Sequence, residues 1–199
     1  MPRQDSADEQ VRALHQQGWE AACSLHRHLR GGGELAPVPT PGVLLEVGEV
    51  AYGDVTAHYS RFYAMNVTYN QQSGFYFGSP LFVAAGLVGD AVANSSARSR
   101  AQAMAQAQWR DFSPCRAILT DRRMLLHVAA ENRWVSLRHH EIVGFLPVLD
   151  QWALFTDYQQ WEPMRLAGPT VPWLSAATIS VLNRGRTEYQ RLPPLPLPD

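Results

Sequence analysis

Lysine is missing from this chain: all 17 of its Lys and Arg residues are arginine. That absence excludes Schiff-base catalysis, a pyridoxal-phosphate anchor, a phosphate-loop lysine and a kinase strand lysine together. Cysteine is almost missing, with Cys23 and Cys115 alone. Two widely spaced thiols make neither a metal-ligand motif nor a disulfide framework, and they suit a reducing compartment. Excess charge is lacking too. A formal net charge of -1 offers no global attraction for nucleic acid, and none is expected as a partner. No Gly-x-Ser-x-Gly elbow and no Cys-x-x-Cys pair is found, so nucleophilic catalysis has no motif to rest on. The opening MPRQDSADEQ is polar and acidic, without the apolar core of a signal peptide, which points to the cytoplasm.

What is present suffices for one domain with appendages: 199 residues, 46% of them hydrophobic and 18% charged. Residues 1–30 read as an amphipathic helix. Ser6 and Glu9 have capping-box spacing, and Val11, Leu14, Ala21, Ala22, Leu25 and Leu29 recur mostly at three- and four-residue steps. Gly31 supplies a stop, and the glycine- and proline-rich residues 31–42 read as a linker. Around residue 55 the period falls to two. Val55, Ala57 and Tyr59 alternate with Asp54, Thr56, His58 and Ser60, as in a strand with one buried face.

Between Arg61 and Asp90 the chain carries no formal charge, and GFYFGSPLFVAAGLVG is apolar but rich in glycine. Ser79-Pro80 looks like a helix start, and ARSRAQAMAQAQW favours helix, so a helical hairpin is expected between about 70 and 108. A membrane span needs about 20 predominantly apolar residues, and the glycines here dilute that run. Spanning, contact with a membrane surface and packing on the domain all stay open. Short β runs then follow in quick succession from Arg116 to Gly168. GPTVPWLSAATISVLNRGR opens with proline punctuation and reads as a closing helix, with Trp173, Leu174, Ala177, Val181 and Leu182 on one stripe. Residues 187–199, rich in proline, read as an extended, disordered tail.

The segments AILTDRRMLL and RWVSLRHHEIVGF resemble the pleckstrin-homology-like superfamily, its GRAM and bacterial members above all. Thr120, Asp121, Arg123, Ser136, Leu137 and Ile142 are the matching positions, and the resemblance spans residues 43–186 apart from the insert. It implies a mainly β fold: a seven-stranded bent barrel or sandwich capped by the C-terminal helix, with the N-terminal helix and helical hairpin added. It also implies a non-enzymatic binding or scaffold module for headgroups, membrane surfaces or peptides. The basic signature that phosphoinositide-binding members carry near the first hairpin is missing here, and the insert stands in its place.

Several candidate sites follow. Arg122 and Arg123 could clamp a phosphate, because guanidinium matches phosphate bidentately; alternatively Thr120 and Asp121 are turn formers with an arginine covering the hairpin. His139, His140 and Glu141 invite a metal, but strand neighbours point to opposite faces, so no metal or cofactor is expected. A Cys115–His127 pair across a hairpin is conceivable, although an inert core cysteine is the ordinary alternative. Glu46, Glu49 and Asp54 sit near a strand start, where charges are usually solvated. Phe75, Tyr76, Phe77, Leu81 and Phe82 form the apolar surface expected to touch a membrane surface or a protein partner. The expected function is therefore binding through the insert by a cytoplasmic protein, with peripheral membrane attachment open. The alternative is self-assembly into a homo-oligomer through the N-terminal helix and the insert.

Overall fold

A computed structural model describes residues 2–64, 107–184, 186, 192 and 195–197. The expected helical hairpin, with Phe75, Tyr76, Phe77, Leu81 and Phe82, lies outside those residues, except that Gln108 already opens a strand.

Helix α1 spans Pro2–Arg30. Seven strands follow: β1 (Ala51–Tyr63), β2 (Gln108–Thr120), β3 (Arg123–Val128), β4 (Arg133–Arg138), β5 (Ile142–Val148), β6 (Ala153–Tyr158) and β7 (Trp161–Ala167). Helix α2 (Val171–Asn183) closes the order. All ladders are antiparallel, and the strand order is β4-β3-β2-β1-β7-β6-β5. The mainly antiparallel seven-stranded sheet with two helices is the coarse fold expected. Among the described residues, no helix is long and apolar enough to cross a membrane.

The alternation read in β1 holds as far as Tyr59, with Ala57 and Tyr59 buried and Asp54, Thr56 and His58 exposed; it breaks at Ser60, which is buried and not on the exposed face. Inward residues of β1 to β4, β6, β7 and α2 meet in a single cluster, among them Tyr59, Leu119, Leu126, Leu137, Leu154, Leu166 and Leu174. Strands from both ends of the order share that interior, so the sheet curves around it. α2 fills the remaining gap with Val171, Leu174, Ala177 and Val181. Trp173 lies over β1 so closely that a Cβ on Gly53 would come within 2.7 Å of its ring. β6 is buried along its whole length, because Ala153 and Phe155 point to a second apolar cluster with Trp109, Leu146 and Val148.

Four expectations need correction. α1 starts at Pro2, upstream of the Ser6–Glu9 capping box. Its packed stripe is Trp19, Ala22, Cys23, Leu25, His26 and Leu29, whereas Val11, Leu14 and Ala21 are exposed. α1 would be about 43 Å long at 1.5 Å per residue, and only its second half reaches α2. Segment 31–50 is irregular, as glycine and proline dictate, but it is not a loose tether. Leu35 joins the core, while Val38, Val43 and Leu45 cover Ile118 and Leu125 on the outer face of β2 and β3. Finally, part of the tail is packed: Leu195 and Leu197 are buried against α1 and α2.

Candidate functional site

The Thr-Asp-Arg-Arg segment is the β2–β3 turn, and its polar atoms are used locally. The Arg122 and Arg123 backbone N–H groups donate to Thr120 Oγ1 at 3.1 and 2.9 Å, fixing the reversal. Asp121 Oδ1 accepts the Val50 N–H at 2.9 Å, and the Asp121 N–H returns a bond to the Val50 carbonyl at 3.0 Å. The incoming chain just before β1 is thereby sewn to the turn.

Glu49 sits beneath the turn with a fully buried side chain. It accepts a fork from Arg123, Nε and Nη2 both at 2.8 Å, and a third bond from the Thr120 hydroxyl at 2.7 Å. The Glu46 N–H adds a fourth at 2.8 Å. Burial alone would raise the acid's pKa. The bonds from Arg123, Glu46 and Thr120 outweigh it and hold the carboxyl at about 2. Glu46 takes a second fork from Arg138, faces Arg122 and Arg123 at 3.5 Å each, and is lowered chiefly by the Arg138 bond. Three guanidinium groups thus face Glu46, Glu49 and Asp121, and their charges cancel.

The two arginines singled out as a phosphate clamp do lie together, but each already faces a carboxylate. Arg123 is committed to Glu49, with Ser136 Oγ on its remaining arm at 3.1 Å. Arg122 is the more exposed and lies 3.9 Å from Asp121 in addition to Glu46. Glu46 and Glu49 had been expected to be solvated; they are the counter-ions of the turn. Nothing periodic links them to it, since Glu49 and Arg123 stand 74 positions apart.

The other candidates separate. His139–Glu141 is a single 3-10 turn, not a strand, so the opposite-face argument does not apply there. His139 Nε2 lies 2.9 Å from the Thr120 carbonyl, so that nitrogen carries the proton, and burial lowers the ring's pKa. Among the described residues, no group of three or more His, Cys, Asp and Glu is placed to hold a metal ion. Cys115 opposes Val128, not His127. Its thiol points into the core and burial pushes it up to about 11. His127 lies on the outer side, against Trp134 and Asn132. Burial also raises the phenols of Tyr59 and Tyr158, so neither supplies a proton donor poised near neutrality.

At the opposite end of β1 and β2 stands a second polar group. The register passes from Tyr59↔Ser113 to Arg61↔Arg110, leaving two β2 residues against Ser60. Asp111 takes the left-handed conformation of this bulge, with φ 56°, a conformation Asp tolerates better than most residues. Its carboxylate then receives Arg61 at 2.7 and 2.9 Å and the Tyr63 hydroxyl at 3.1 Å. Past the bulge, pairing resumes and runs to Tyr63↔Gln108. The two ends of the connection between Tyr63 and Gln108 therefore leave the sheet side by side. Next to them Phe62 meets Trp109 in a tilted contact at 5.3 Å, Trp109 continues to Phe155 at 5.4 Å, and Phe112 stands exposed.

Comparison of the chain with protein-family models, with curated proteins and with solved structures finds no match.

Proposed function

We propose that the chain is a non-enzymatic binding or scaffold domain of pleckstrin-homology type, a curved sheet closed by a helix. It acts through the apolar residues of the 70–108 insert, Phe75, Tyr76, Phe77, Leu81 and Phe82, on a membrane surface or a protein partner. The observation that supports this reading is the pairing of β1 with β2 out to Tyr63↔Gln108. That ladder delivers from one point of the sheet a connection that carries no formal charge before Asp90 and holds Phe75, Tyr76, Phe77 and Phe82, the arrangement by which scaffolds present binding segments. The neutral turn favours the protein partner over an anionic membrane, because Arg122, Arg123 and Arg138 are matched by Glu46, Glu49 and Asp121.

The variant F75S/Y76S/F77S tests the reading in two arms. The expected result is a partner retained by the parent chain and lost by the variant, with neither sedimenting with anionic vesicles. Vesicle binding by the parent that the variant loses would assign the contact to lipid. Equal behaviour of the two chains in both arms would end the proposal.

A second reading, self-assembly, has its own observation: Val11 and Leu14 are 52% and 54% exposed on the unpacked half of α1. Light scattering that shows a monomer at high concentration would sink it.

A further inference from the structure

The composition of the last thirteen residues suggests a free polyproline tail, yet its described residues sit in a formed groove. Asn183, the last residue of α2, holds Leu192 at both backbone groups. Its Oδ1 accepts the Leu192 N–H at 2.8 Å and its Nδ2 donates to the Leu192 carbonyl at 3.1 Å. One side-chain amide thus satisfies an extended backbone whatever side chain it carries. Further on, Leu195 and Leu197 are 7% and 6% exposed, inserted among Ala22 and Cys23 of α1 and Ala176 and Ile179 of α2. Pro196, between them, faces outward.

Pro196 borders an open groove of about 590 Å³ whose other walls are Trp19, Pro147, Val148, Leu149, Asp150 and Trp152. The groove is built at a cost. Trp152 has φ 52° and ψ 37°, a left-handed conformation that a bulky residue adopts only when its surroundings impose it. It is held there by bonds from its N–H to the Leu149 carbonyl and from the Gly168 N–H to its own carbonyl. The ring meets His15 edge-on at 4.6 Å and Trp19 at 5.8 Å. Aromatic walls, alternating apolar pockets and a bidentate backbone clamp are what an extended proline-rich segment needs, since such a segment has little conformational entropy left to lose.

We infer that the α1–α2 seam and the Trp19–Trp152 groove form a recognition site for an extended leucine- and proline-rich segment of another protein, with the chain's own tail as resident competitor. Charge separates the two occupants. Asp150 is exposed on the groove wall. The resident residues at the groove, Leu195, Pro196 and Leu197, carry no cation to meet it. A partner carrying arginine or lysine at that place is the better match, so its binding weakens with salt.

The test titrates two synthetic peptides, RLPPLPLPD and RLPPLPLPR, into the full chain and into L195S/L197S, whose tail no longer fills the seam, with tryptophan fluorescence as readout. L195S/L197S is expected to bind the first peptide at least about tenfold more tightly than the unaltered chain, which keeps an intramolecular competitor of millimolar effective concentration. The arginine-ended peptide should bind about threefold tighter again at low salt, the scale of one exposed ion pair. Adding N183A should remove about tenfold of that affinity. Equal binding by opened and unaltered chains, or indifference to N183A, overturns the proposal. A measurement that needs no substitution stands beside it: excess RLPPLPLPR should speed carboxypeptidase digestion of the wild-type tail. An unchanged digestion rate also overturns it.

Discussion

Replacing Glu49 by glutamine removes one charge from a fully buried carboxylate while preserving volume and shape. The partner left behind, Arg123, has a side chain only 13% exposed, so its guanidinium cannot recover full hydration. Breaking a buried pair from one side costs roughly 3–5 kcal/mol. Proton linkage supplies a second figure. Glu49 is lowered from 4.5 to about 2, which would be worth about 3 kcal/mol at full weight and about 2 after allowing for solvent near Arg123. The sign follows from the direction: the folded-state pKa is the lower one, so the contribution is complete above 4.5 and is lost as pH falls from there toward 2. The expected loss for E49Q at pH 7 is therefore about 2–4 kcal/mol, a fall in Tm of roughly 5–15 °C for a chain this long. Urea unfolding of both proteins between pH 7 and pH 2 measures it, and the gap between them should close across the acid limb. A gap below about 0.5 kcal/mol at pH 7, or one that stays constant down to pH 2, would refute the claim that this buried pair anchors the turn.

Two further perturbations address other parts of the fold. A Cβ on Gly18 of α1 would lie 1.9 Å from the Pro169 carbonyl oxygen, so G18A should push α1 off the β7–α2 loop and cost about 1–3 kcal/mol in thermal unfolding. A gain of about 1 kcal/mol, the ordinary helix benefit of alanine over glycine, would show that α1 is not seated there. With its thiol raised to about 11, native Cys115 should be alkylated by iodoacetamide at pH 8 at least about a hundredfold more slowly than in urea; peptide mass spectrometry giving equal rates would contradict its burial.

The strands were legible because each shows either a two-residue period or a short apolar run. Arg133–Arg138 alternates from Trp134 to Leu137, whereas Met124, Leu125 and Leu126 of β3 form a short apolar run buried on both faces; turn formers bound both strands, so local chemistry marks their ends. α2 was legible for the same reason, with proline at its start and an apolar stripe along it. α1 was only half legible: periodicity shows that a helix has an apolar face, but not how much of the face finds a neighbour. Glu49 was misplaced because its partners, Thr120 and Arg123, reach it only through the fold. The tail was misplaced because its proline content signals an extended backbone, whereas the leucines between the prolines decide whether that backbone stays free. Arg122 and Arg123 were found as a pair by sequence, and their neutralisation became visible only with Glu46 in place.

The ladder that ends at Tyr63↔Gln108 brings the two ends of the connection together from the sheet side. Closure entropy rises only logarithmically with the number of residues between two paired ends, about 0.6 kcal/mol per doubling, so the sheet places little constraint on what lies between them. The connection is thus a replaceable cartridge. Its sequence can change while the sheet register, the core and the closing helix stay as they are.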